Sequence, residues 1–187
     1  MGRWEPDARG RMLEAAIELF TEKGYDKTTA GDIAARAGVT ERTFFRHFAD
    51  KREVLFAGPV TLDDLVAKAV ASADADATPL RMVLDGVHQA AVELSALRTR
   101  EQAVERARIV EATPALRERE LLKMADMATA AQAALVERGV AETVAALAAH
   151  AAAAVFQTAF GRWVSETTDL SLAECVDEAA ATLLELR

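Results

Sequence analysis

A chain of 187 residues, 51% of them apolar, has too much hydrophobic material for a disordered protein. It is also long enough to bury roughly 70% of its unfolded surface without covalent staples. The lone cysteine, Cys175, excludes an internal disulfide, and with no secretory segment at the start the expected setting is the cytoplasm. The net charge of −8 argues against a nucleic-acid partner only until it is divided: residues 1–52 hold ten Lys/Arg against nine Asp/Glu, and the remainder holds 12 against 21.

Residues 1–7 are expected to be a frayed arm. A first helix is predicted over residues 7–23, with Leu13, Ala16, Ile17 and Phe20 as its apolar stripe and Gly24 as its stop. Tyr25 packs under the turn that follows, and Thr28 and Thr29 open the second helix. Thr29 three residues before Asp32 has the form of a hydroxyl cap with an acid in the first turn, and Gly38 is the stop. Thr40 opens a third helix carrying Phe44 and Phe48 on one face. Asp50 caps a fourth that starts at Lys51 and is interrupted at Gly58-Pro59, and Thr61 with Asp64 restarts it through Val70.

After a small, acidic loop over 74–78, Thr78-Pro79 opens a helix with Leu80, Val83, Leu84, Val87, Ala91 and Leu94 on one face. Residues 99–111 form a charged, more exposed helix. Thr113-Pro114 starts another that runs to Gly139 with Leu121, Met124, Ala128, Ala131 and Leu135 inward. The uncharged run over 143–161 is mostly alanine, weakly apolar for a membrane span, and is expected to pack within a helix of residues 141–166. Ser171 with Glu174 makes a capping box for the last helix. With no strand pattern or repeat, the fold class is all-α, with about nine helices.

The stretch 29–51, TAGDIAARAGVTERTFFRHFADK, carries the function. Two capped helices joined through one glycine have the spacing of a helix-turn-helix, whose second helix enters the DNA major groove. With Ile33, Ala34, Ala37, Phe44 and Phe48 assigned to a core, Glu41, Arg42, Thr43, Arg46 and His47 remain for the outer face, where they suit base edges and phosphates. The string from Thr40 to Phe48, then Lys51, resembles the DNA-binding signature of the TetR family of bacterial transcriptional regulators. Leu13 to Phe20, Gly24-Tyr25 and Thr28-Thr29 match the same family, so the resemblance spans residues 8–56. It implies a helix-turn-helix DNA-binding domain over 1–52, a helical effector-binding and dimerisation domain over 53–187, and a phosphate contact for Lys51.

Arg42, early in the third helix, is suited to a bidentate guanine contact. Arg46, one turn on, reads a base or holds a phosphate. Thr29, Thr43, His47 and Lys51 are phosphate candidates, and Thr40 caps the helix. Glu41 either accepts from cytosine or complements the helix dipole. At Phe45 the family commonly has tyrosine. Phenylalanine loses the hydroxyl contact and leaves only apolar contact with a sugar or a thymine methyl.

A two-fold homodimer on a palindromic operator doubles these contacts. Its interface is expected on the last two helices, through Val144, Leu147, Ala151, Val155, Leu172, Val176, Ala179 and Leu183. The alternative is that these residues form the core of one subunit. A hydrophobic small-molecule effector is expected among Met82, Val87, Met124, Met127, Phe156, Phe160 and Trp163, oriented by His88, Arg98 or Arg106. No cofactor, metal or catalytic set is indicated, because the three histidines are scattered and no nucleophile elbow or phosphate-cradling loop is present. A helical interaction module that has lost DNA binding, or a small helical enzyme, is the alternative function.

Overall fold

The computed structural model describes residues 8–56, 61–97, 99–165 and 168–186. Among the described residues there are nine α-helices, one 3-10 turn and no strand. The helices are α1 (Ala8–Lys23), α2 (Ala30–Arg36), α3 (Glu41–His47), α4 (Leu62–Ser72), α5 (Pro79–Leu97), α6 (Arg100–Ala112), α7 (Pro114–Glu137), α8 (Glu142–Ser165) and α9 (Leu172–Glu185).

Local chemistry sets most boundaries. The Thr29 hydroxyl accepts from the Asp32 N–H at 3.0 Å while the Thr29 N–H donates to Asp32 Oδ2 at 2.8 Å. Ser171 and Glu174 repeat that box at the start of α9. Thr40 and Thr61 each accept from the N–H three residues on. The helix expected from Lys51 is not formed. Asp50 Oδ1 accepts from the N–H groups of Arg52 and Glu53, and only a 3-10 turn, Glu53–Leu55, follows. A helix opening there has room for about two turns before Pro59, which disfavours helical backbone in its predecessor. Gly58-Pro59, where the interruption is expected, lies outside the described residues.

The chain divides into two compact units: Met1–Gly58 with Glu105–Glu120, and Pro59–Val104 with Leu121–Arg187. In the first, Met12, Ala16, Phe20, Ile33, Phe44 and Phe48 form a core continuous with Val54, Leu55, Phe56, Ile109, Val110 and Leu116. The boundary expected after residue 52 therefore falls inside this unit. Arg106, 6% exposed, donates from Nε to Leu55 O at 2.9 Å and pairs with Glu120 at 2.7 Å. Arg119 pairs with Glu53 at 2.7 Å, and both guanidiniums lie against the Phe56 ring. A guanidinium so buried persists only with its donors engaged.

In the second unit α5 packs against α4, α8 and α9, and α8 against α9. Gly86 lets α4 and α5 approach: a Cβ there would stand 3.2 Å from Val66 Cα. α8 is long and apolar enough to cross a bilayer, but Ala145, Ala149 and Ala152 are fully buried inside the unit, as in a core helix. Leu121, expected inward, is 66% exposed; it stands where α7 passes from one unit to the other.

Candidate nucleic-acid interface

α2 ends on Gly38 at φ +70, and the Val39 N–H returns to Ala34 O at 2.9 Å, closing the helix end and turning the chain sharply into Thr40. α3 is fixed by Phe44, which is fully buried and packs 5.1 Å from Phe48. That anchoring leaves Glu41, Arg42, Phe45 and Arg46 exposed, with Thr43 and His47 half-buried beside them. Phe45 is 52% exposed and meets Phe44 edge-on at 5.5 Å.

Charge on this unit is distributed unevenly. On the α1–α2 side, Arg36 is held by Glu18 at 2.9 Å and Glu22 at 2.8 Å, and Lys23 is held by Asp32 at 2.8 Å. Arg52 pairs with Asp50 at 2.7 Å. The guanidinium of Arg36 pulls the Glu22 carboxyl below its usual range, and Lys23 followed by Thr29 does the same to Asp32. Arg42 and Arg46 make no hydrogen bond or ion pair with any described residue. The formal charge near zero therefore hides a division: acids hold Arg36 and Lys23 on the bracing helices, and the two cations one turn apart on α3 have no partner among the described residues.

Thr29, Thr40 and Thr43 are partly committed. Thr29 is engaged in its capping box, and the Thr40 and Thr43 hydroxyls lie 3.0 Å apart. Glu41 leans toward α2, so that a Cβ on Gly31 would stand 3.6 Å from its Oε2. Lys51 is partly engaged as well: its Nζ donates to Tyr25 O at 2.8 Å and Thr28 O at 3.0 Å. The acid pair on α1 that holds Arg36 was legible as Glu18 and Glu22 one turn apart. The carbonyl partners of Lys51 had no signal in residue types, because every residue has a carbonyl.

Residues 12–57 match the family model of bacterial regulatory proteins, tetR family. Over these residues the chain resembles the TetR family. Among its relatives, the transcriptional regulator TcmR of Streptomyces glaucescens is 38% identical over 39% of this chain and 32% of that protein. The transcriptional repressor KstR2 of Mycobacterium tuberculosis is 39% identical over 46% of this chain and 42% of its own length. The chain thus spans less than half the length of either. Two solved structures share the fold nearly end to end. SmeT in complex with triclosan is 25% identical at TM-score 0.60, covering 95% of this chain and 90% of SmeT. Native NalD of Pseudomonas aeruginosa is 22% identical at TM-score 0.61, covering 96% of both.

The other candidate residues are sorted by the structure. Met82, Val87, Met124, Met127, Phe156 and Trp163 are buried in one cluster of the second unit. Half-buried Phe160 stacks on Phe156 and tilts toward Trp163, each at 6.0 Å. His88 instead faces Asp177 of α9 at 2.8 Å on an exposed surface. Arg106 is misassigned as a ligand contact: it lies in the first unit with Leu55 and Glu120 on its donors. Arg98 lies outside the described residues.

The dimer candidates divide as well. Val155, Leu172 and Val176 are buried in their own unit, at 4%, 1% and 1% exposure, and offer no outer surface. They lie on the inward stripes of α8 and α9, a distinction that composition alone does not make. Val144 and Leu147 are exposed, and Ala151, Ala179 and Leu183 are half-buried.

Proposed function

We propose that this protein is a DNA-binding transcriptional regulator of the TetR family that acts in the cytoplasm. In this reading it is a repressor that holds a palindromic operator as a homodimer and is released by a hydrophobic small molecule. The observation that carries the reading is the pair Arg42 and Arg46 on the outer face of α3, without a partner among the described residues, against a background where Arg36, Lys23 and Arg52 are all paired. One guanidinium placed early on the second helix of a helix-turn-helix can take guanine O6 and N7, while the next takes a base or phosphate one turn away. The names of TcmR and KstR2 support regulation, and the triclosan complex of SmeT supports a small-molecule effector.

DNA reading is assigned to the unit containing α1–α3, and effector binding and dimerisation to the unit containing α5, α8 and α9. Met82, Met127, Phe156, Phe160 and Trp163 supply the apolar lining. Val144 and Leu147, with Ala151, Ala179 and Leu183, supply the surface that a second copy covers. Release is a population shift, in which the effector favours a form that spaces the two reading heads wrongly. α6 and α7 each run through both units and bear Arg106 and Arg119, so they are a second covalent route to the reading unit beside Gly58-Pro59.

A mobility-shift titration against the protein's own promoter region at several salt concentrations tests this. Affinity should fall steeply with salt, by about 0.9 in log–log slope for each phosphate neutralised. Absence of retention on any promoter fragment would favour an interaction module instead.

A further inference from the structure

Arg9 stands in the first turn of α1, and its guanidinium lies against the C-terminal end of α3. Its Cζ is 5.6 Å from the centre of the Phe48 ring, and that ring meets the His47 imidazole at 6.2 Å. The residue is half-buried. Its Nε is the one buried side-chain nitrogen or oxygen among the described residues that has no hydrogen-bond partner. Other charged groups of α1 are committed elsewhere: Arg11 donates from Nε to Ala37 O at 3.2 Å, and Glu18 and Glu22 both hold Arg36. No acid among the described residues pairs with Arg9. The Phe48 face attracts the cation and fixes its plane, but it gives the N–H donors no oxygen.

A guanidinium is rarely withdrawn from water, even in part, without an anion to meet it. An oriented planar fork with unmet donors suits a phosphate, which can take two N–H bonds at once. We propose that Arg9 neutralises a DNA phosphate beside the His47 end of α3, a backbone contact made from outside the helix-turn-helix. This rests on the DNA-binding reading above. Such a contact fixes the register of the head on the duplex and carries no sequence information, which sets Arg9 apart from Arg42. A purely structural Arg9, packed on Phe48 and nothing more, would weaken binding without changing the number of counterions released, so salt dependence separates the two roles.

The test uses the full chain and a duplex that the parent protein selects from a random pool. Arg9→Met keeps an apolar stem against Phe48 and loses the charge. Arg36→Met removes the same formal charge from a site that Glu18 and Glu22 already neutralise. Affinity is measured across a salt series, on the selected duplex and on its single-base variants, at a temperature where circular dichroism shows each protein folded. For Arg9→Met, affinity at low salt should fall about tenfold, and the log–log slope should be shallower by about 0.9 for each Arg9 engaged. The ranking of the base variants should stay that of the parent. Arg36→Met should keep the parent slope. A slope for Arg9→Met parallel to the parent's would overturn the assignment, with or without a loss of affinity. So would an equal change of slope from Arg36→Met, which would report net charge alone, and so would a changed ranking of base variants. Should the methionine variant not fold, Arg9→Gln is read in its place by the same criteria. A parent protein that selects no duplex would sink the regulator reading itself, whereas a parallel slope sinks only the role given to Arg9.

Discussion

α2 and α3 are the same length, seven residues each, both capped by threonine and both ending on basic side chains. They differ in where their charge goes. In α2 the basic residue is clamped by two carboxylates of α1, and the capping acid is held by Lys23. In α3 the guanidiniums have no partner among the described residues. The first helix is a brace and the second is presented. Net charge, which sums over both, conceals the difference that bears on function.

The comparison breaks most completely if α3 loses its footing. Phe44→Ala empties a fully buried site between Phe45 and Phe48, at a cost of about 3–5 kcal/mol. The melting transition of the head should fall accordingly, and DNA retention should vanish with it. A variant that kept its Tm would show that α3 is not held by this aromatic anchor.

The comparison sharpens with paired substitutions. Arg42→Ala should flatten preference among operator variants by about 1–3 kcal/mol of discrimination. Arg36→Ala, with its charge already neutralised internally, should leave the ranking of variants unchanged. Equal loss of discrimination from both would erase the distinction between brace and presented helix. Between the helices, Gly38→Ala has room for its methyl but not the backbone freedom at φ +70, so it should cost about 1 kcal/mol, seen as a lower denaturation midpoint.

What was legible from residue order is what is local. Thr29, Thr40, Thr61 and Ser171 act through N–H groups three residues away, and Gly24, Gly38 and Gly139 all take positive φ where a helix stops. The failures are contacts across sequence. Residues 105–120 belong to the reading unit through Ile109, Val110 and the Arg106 and Arg119 pairs, yet their composition indicates only a charged, exposed helix. Nor does residue order reveal that the Tyr25 and Thr28 carbonyls, 26 and 23 residues earlier, hold the ammonium of Lys51. On α8 and α9, periodicity shows apolar stripes but not which stripe faces inward, and so does not separate buried Val155 and Val176 from exposed Leu147.

The smallest effect concerns acid. The Asp32 carboxyl is held well below its usual range, first by Lys23 and then by the N–H and hydroxyl of Thr29. A folded-state value lowered in this way adds stability that is whole above the ordinary value of about 4 and is lost as pH falls below it. Glu22, through Arg36, shifts in the same direction. The cap of α3 is the uncharged hydroxyl of Thr40, which does not titrate. Acid should therefore loosen α2 before α3. Amide exchange, corrected for its intrinsic pH dependence, should show protection falling in Ala30–Arg36 between about pH 5 and pH 3 while Glu41–His47 lags behind. In Asp32→Asn the box keeps an acceptor but loses the titrating charge, so protection of α2 should start lower and change less with pH. If both helices lost protection together in the parent protein, the ion pairs around α2 would not be what separates it from its neighbour.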